Sequence, residues 1–118
     1  MTKNELLTLI KTQPEKINFD DVIAVINTDY TYSPSRFSNG QGKAMVVNES
    51  GSNEGSCKIF SFAKLNQLTK QQTLYCFGLY YREDVLKNPD RHDHANIRTL
   101  ITYSLDDIIF DTPALTSK

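Results

Sequence analysis

The chain has 118 residues, the usual size of one compact domain. Its 39% hydrophobic and 23% charged residues, with six Phe and six Tyr, exclude a disordered or low-complexity protein. Thirteen Lys and Arg against fourteen Asp and Glu leave a net charge of −1, so the basic footprint of a nucleic-acid binder is missing. No apolar run approaches the ~20 residues of a membrane helix. Met1–Pro14 lacks the basic, apolar and small-residue order of a secretory signal peptide. Two cysteines, Cys57 and Cys76, are too few for a disulfide framework and are expected as free thiols in a reducing cytosol.

Taken in chain order, Thr2-Lys3-Asn4-Glu5 matches a capping box, and Leu6, Leu7 and Ile10 follow at helical spacing until Pro14. A second helix is expected from Asn18–Asp21, with Val22, Ile23, Ile26 and Tyr30 facing the core and Ser33-Pro34 as its stop. Between Arg36 and Val47, the Asn39-Gly40 turn signal and the β-prone run Ala44–Val47 predict a small hairpin. Asn48–Gly55 is rich in Gly, Asn and Ser and reads as a loop. From Ser56 the pattern is helical again through Leu65.

Thr69-Lys70-Gln71-Gln72 is a second capping box and opens what reads as the longest, central helix, running to Leu86. Gly78 inside it costs about 1 kcal/mol relative to Ala, so another backbone is expected to approach closely there. Asp93 is the expected cap of a last helix carrying Ile97, Leu100 and Ile101. Ile108–Phe110 is a short strand or turn, and the tail after Pro113 is expected to fray. The expected fold is a single α-rich α+β domain over residues 1–118, with about five helices and a small β-hairpin.

Three groups of residues bear chemistry. Cys57 follows a Gly-containing loop at an expected helix start, where a thiol's pKa falls, and His92 or His94 with Asp93 or Asp84 could complete a Cys-His arrangement. The opposing reading is a small buried hydrophobe. His92, His94, Asp90 and Asp93 are zinc-ligand types, but two His at i and i+2 with no third strong ligand nearby argue against a metal, and no cofactor is expected. Arg82, Glu83, Asp84 and Arg98, beside Tyr80 and Tyr81, could form a site for a small anionic ligand or a peptide. The favoured reading of these charges is internal pairing, Arg82 or Arg98 with Asp84 or Glu54, since paired charges at helix ends are common. Asn53, Glu54 and Ser56 either cap a helix or line the same site.

Four stretches, Phe37–Gly40, Asn53–Phe60, Thr73–Pro89 and Asp93–Arg98, occur in an order and spacing that resembles the HopJ type III effector family across nearly the whole chain. The match departs at Arg91, where the family tends to have Gly. The resemblance implies a small bacterial protein, resident in the cytoplasm and associated with delivery into host cells by type III secretion; it brings no catalytic activity with it. Type III leaders of plant-pathogen effectors look like flexible Ser-rich segments, whereas Glu5 here sits in an expected capped helix. The expected function is capture of a protein partner or small ligand through Asn53, Glu54, Ser56, Tyr81, Arg82, Asp84 and Arg98. The alternatives are a thiol-dependent hydrolase or transferase using Cys57 with His92 or His94, and a resident bacterial protein with no host target.

Overall fold

The computed structural model describes all 118 residues. Helix α1 (Lys3–Thr12) starts as its sequence dictates: Glu5 N–H donates to the Thr2 hydroxyl at 3.1 Å, and Thr2 N–H donates to the Glu5 carboxylate at 2.9 Å. Leu6 and Ile10 put the helix on the core. A 3₁₀ turn at Pro14–Lys16 leads to Asn18, whose side chain caps α2 (Phe19–Asp29) by accepting Asp20 N–H at 3.0 Å. The buried face of α2 is Val22, Val25 and Ile26; Ile23 only packs along its edge.

Strand β1 (Tyr30–Tyr32) follows directly, then β2 (Phe37–Asn39) and β3 (Val46–Asn48) form the expected hairpin, with Phe37 opposite Asn48. Helix α3 (Glu54–Leu65) contributes more buried residues than any other element, with Cys57, Ile59, Phe60, Ser61, Phe62 and Ala63 all inside. Phe60 meets Phe37 edge-on at 6.0 Å and Phe77 at 5.6 Å between ring centroids, which ties the sheet to the helices. One cluster of 24 buried hydrophobic residues forms the core. The outcome is a single α+β domain of five α-helices with small antiparallel sheets.

Four expectations need correction. Helix α2 does not run to Ser33-Pro34: it ends at Asp29, and Tyr30, expected on its core face, opens β1, which is held extended by pairing with Leu115–Ser117. The helix from Thr69 to Leu86 is not continuous: α4 covers only Lys70–Tyr75, and Gly78 turns left-handed at φ +59°. A Cβ at Gly78 would stand 2.8 Å from the Phe19 backbone nitrogen, so the close backbone approach is there, and it breaks the helix. The chain resumes as a π-helical turn, Tyr80–Val85, in which Leu86 N–H reaches back five residues to the Tyr81 carbonyl at 3.0 Å. The position expected for the central helix belongs to α3.

Asp93 does not cap α5 (Ala95–Thr102); His94 occupies that position, left-handed at φ +53° and with no side-chain cap bond. The tail is not frayed either. Strand β4 (Ile109–Phe110) pairs with β2, and β5 (Leu115–Ser117) pairs antiparallel with β1, Tyr32 opposite Leu115. Burial of Ala114 and Leu115 and the bond from Lys118 N–H to the Asp29 carbonyl at 3.0 Å hold the end in place.

Candidate functional site

The first turns of α3 and α5 line one cleft of about 200 Å³, walled by Val46, Asn53, Ser56, His94, Asn96 and Ile97 among others. Asn53 and His94 are the N-cap residues of the two helices; each is left-handed, at φ +51° and +53°, and neither provides a side-chain cap. The first helical bonds are Cys57 N–H to the Asn53 carbonyl and Arg98 N–H to the His94 carbonyl, so the N–H groups ahead of Cys57 and Arg98 have no helical acceptor. Two positive helix ends therefore meet at the cleft, and a left-handed non-Gly residue costs about 1–3 kcal/mol at each.

A buried asparagine network holds this strained arrangement. Asn48, at the end of β3, accepts at its Oδ1 from Asn53 Nδ2 at 2.6 Å and from Asn96 Nδ2 at 2.8 Å. Asn96 Oδ1 in turn accepts from Asn48 Nδ2 at 3.1 Å and from Asn39 Nδ2 at 3.2 Å. Asn39, Asn48 and Asn96 are all buried, and only Asn39 Oδ1 is left without a partner. In this low-dielectric setting each amide fixes its neighbours, so the hairpin, α3 and α5 are locked in one register around the cleft.

His94 stands at the cleft with its Nε2 3.0 Å from Asp84 Oδ2. With Asp84 as the accepting carboxylate, Nε2 carries a proton and donates it to this bond. The Tyr80 ring lies over the imidazole at 5.2 Å, so Asp84 and Tyr80, both from the π-helical turn, orient it. Asp93 Oδ2 is 3.8 Å from the same nitrogen, but its other oxygen is held by Arg98 Nη2 at 2.7 Å. That hydrogen bond from Arg98 holds the Asp93 carboxyl below the usual carboxylate range.

The other expected site residues do not join this cleft. Cys57 is buried with its sulfur 3.9 Å from the Ser35 carbonyl, and burial pushes the thiol's pKa up, opposite to the direction expected of a helix-start thiolate. Position explains this: Cys57 is the fourth residue of α3 and turns into the core, behind the free N–H groups. Cys76 is likewise buried, its pKa pushed up to about 12. His92 is exposed in the segment before α5. No group of three or more His, Cys, Asp or Glu side chains is arranged to hold a metal ion.

The arginines take backbone and neighbouring partners, and neither pairs with Asp84 or Glu54. Arg98 donates to the Asp93 carbonyl at 2.6 Å as well as to its carboxylate, closing the turn ahead of α5. Arg82 Nη1 donates to the Ile17 carbonyl at 2.8 Å, on the far side of the π-helical turn. Tyr81 is buried, its hydroxyl accepting from Gln71 Nε2 at 3.2 Å, and the exposed phenol beside it is Tyr80. Glu54 is exposed and makes no ion pair.

Of the expected binding residues, Asn53 and Ser56 line this cleft; His94, expected as a base or metal ligand, lines it too, with Asp84 behind it, and Asn39, Asn48 and Asn96 were not foreseen. Asn39 and Asn48 read as turn residues because they flank Gly40 and the Gly-containing loop. Asn96 carried a usable signal: an amide on the face of a helix that otherwise turns Ile97 and Leu100 inward needs a buried partner.

Comparison with known proteins fits this architecture. No curated protein matches the chain. A solved structure described as "unknown function protein VPA0580" superimposes with a TM-score of 0.94 at 44% identity, covering all of this chain and 95% of that one. The family model described as HopJ type III effector protein matches residues 3–115, and the chain belongs to the HopJ family.

Proposed function

We propose that this HopJ-family chain acts by binding, and that the cleft between α3 and α5 takes a small anion, a carboxylate or phosphate. The observation that carries this is the convergence of two uncapped helix starts on one cleft. Such N–H groups need acceptors, the helix dipoles favour negative charge, and together they make an anion site. Ser56 adds a hydroxyl and His94 an oriented imidazole. Of the carboxylates around the cleft, Asp93 is paired with Arg98, and Asp84 accepts the hydrogen bond from His94. The ligand reaches the protein either free or as a group on a partner protein.

Titrating the full chain with inorganic phosphate and with acetate, followed by amide NMR shifts, tests the proposal. Saturable shifts at Gly55, Ser56, Asn96 and Ile97 are expected, and Ser56→Asp, which sets a fixed carboxylate in the cleft and suits a first helical turn, should abolish them. Absence of shifts at both helix starts, or an unchanged response in Ser56→Asp, overturns it.

A second, separate part of the proposal is residence in the bacterial cytoplasm and export by a type III apparatus, the export being supported by the family's description as a type III effector. The full chain fused to a reporter active only in eukaryotic cytosol, delivered from bacteria with and without that apparatus, decides this part. A signal lost with the apparatus supports export; no signal from either strain, with the fusion stably expressed, favours a resident role.

A further inference from the structure

On the other side of Tyr80 lies a second concavity, about 410 Å³, between the Lys16–Asp20 segment and the start of the π-helical turn. Three contacts build it. Gly78 sits on the backbone of Ile17–Phe19, Arg82 Nη1 is bonded to the Ile17 carbonyl at 2.8 Å, and the Phe19 and Tyr80 rings meet edge-on at 5.0 Å. The walls are thus set by the protein's own packing before any ligand arrives. Leu79 and Tyr80 remain 59% and 43% exposed along it, large apolar surface with nothing over it.

The charges are equally unfinished. Lys16, Asp20 and Arg82 line the groove, and none belongs to an ion pair. Arg82 uses only Nη1 on the Ile17 carbonyl, so most of its planar fork is free to meet a carboxylate. Two cations against one carboxylate leave a single positive charge, which one carboxylate neutralises and a phosphate dianion overshoots. The apolar part of the lining, Phe19, Leu79 and Tyr80, is a slot for a ring, and the volume is that of a small-molecule site. We infer that this groove is a second binding site, distinct from the α3/α5 cleft, and that it takes a small aromatic monocarboxylate, its ring against Phe19, Leu79 and Tyr80 and its carboxylate on Arg82 and Lys16.

Three probes added to the full chain and followed by amide NMR separate charge from ring: 3-phenylpropionate, the same ring without charge as 3-phenylpropan-1-ol, and the charge without a ring as propionate. The acid should shift the amides of Phe19, Leu79 and Tyr80 saturably and bind about tenfold more tightly than either control, the value of a charge-assisted contact to Arg or of the buried ring. Lys16→Gln and Leu79→Ala alter exposed side chains, leave the fold intact, and should each weaken the acid severalfold. Equal binding of acid and alcohol overturns the inference by making the groove a plain apolar patch. So does binding of the acid that neither variant weakens, the absence of saturable shifts, or shifts confined to Gly55, Ser56, Asn96 and Ile97. The last result would leave the cleft reading standing, and failure of phosphate at the cleft leaves the groove untouched.

Discussion

The starts of α1 and α4 are closed by their own side chains, while those of α3 and α5 are left open. Thr2 with Glu5 and Thr69 with Gln72 each form a complete capping box, whereas Asn53 and His94 hold a left-handed backbone and cap nothing. A free helix start facing water is closed cheaply by a Thr or Ser. Here the two starts that lack such closure share one cleft, and the strain of their left-handed residues is held by amides from a different part of the chain. Counting the Asn18 cap of α2, helix capping in this protein is therefore local at α1, α2 and α4 and tertiary at α3 and α5.

The sharpest way to break that contrast is Asn48→Ala. It leaves the Asn53 and Asn96 side-chain donors without their acceptor, with a cost of about 2–3 kcal/mol. Urea unfolding should report that loss, and the amide response to phosphate should vanish with it; a cost under about 0.5 kcal/mol, the range of an ordinary surface change, would show that the network does not hold the cleft. Thr69→Ala should cost about 1 kcal/mol by removing a cap, while Ser56→Ala at an uncapped start should stay within about 0.5 kcal/mol. Equal effects would erase the difference between the two kinds of start. Gln67 is left-handed outside the cleft, just past the end of α3, and Gln67→Gly should stabilise the fold by about 1 kcal/mol in the same urea assay.

Acid gives the smallest and most selective effect. The bond from the Thr2 backbone holds the Glu5 carboxyl below its ordinary value of 4.5. Its contribution to α1 is complete above that value and is lost as pH falls through the lowered one. Asp93 behaves in the same way with Arg98, below its ordinary 3.8. The α4 box uses the neutral Gln72 and has no such limb. Amide exchange below pH 4 should open the start of α1 before that of α4; the reverse order would contradict the capping assignment.

What could be read in the sequence was what is decided nearby. The two boxes, the Phe37–Asn48 hairpin and the stop before Pro14 depend on residues a few positions apart, and all are present. Gly78 was legible as a close approach, but not as a helix break, because its φ is set by Phe19, which belongs to another helix. The strand at Leu115–Ser117 needs Tyr30–Tyr32, far back in the chain, and its short apolar content gave no sign of that pairing. Of the site, Asn53, Ser56 and His94 were named from residue type alone. Their convergence was not legible, since it depends on three asparagines whose local signal is a turn.

Tyr80 carries a last consequence. One side of its ring meets Phe19 at 5.0 Å, in the groove, and it lies over His94 at 5.2 Å, at the cleft. Tyr80 thus touches a wall residue of each concavity, Phe19 of the groove and His94 of the cleft, and its π-helical turn also supplies Arg82 to the groove and Asp84 to the His94 ring. A shift of that ring is felt in both places, so any change in affinity that occupancy of the groove brings to the cleft is returned in equal measure by occupancy of the cleft.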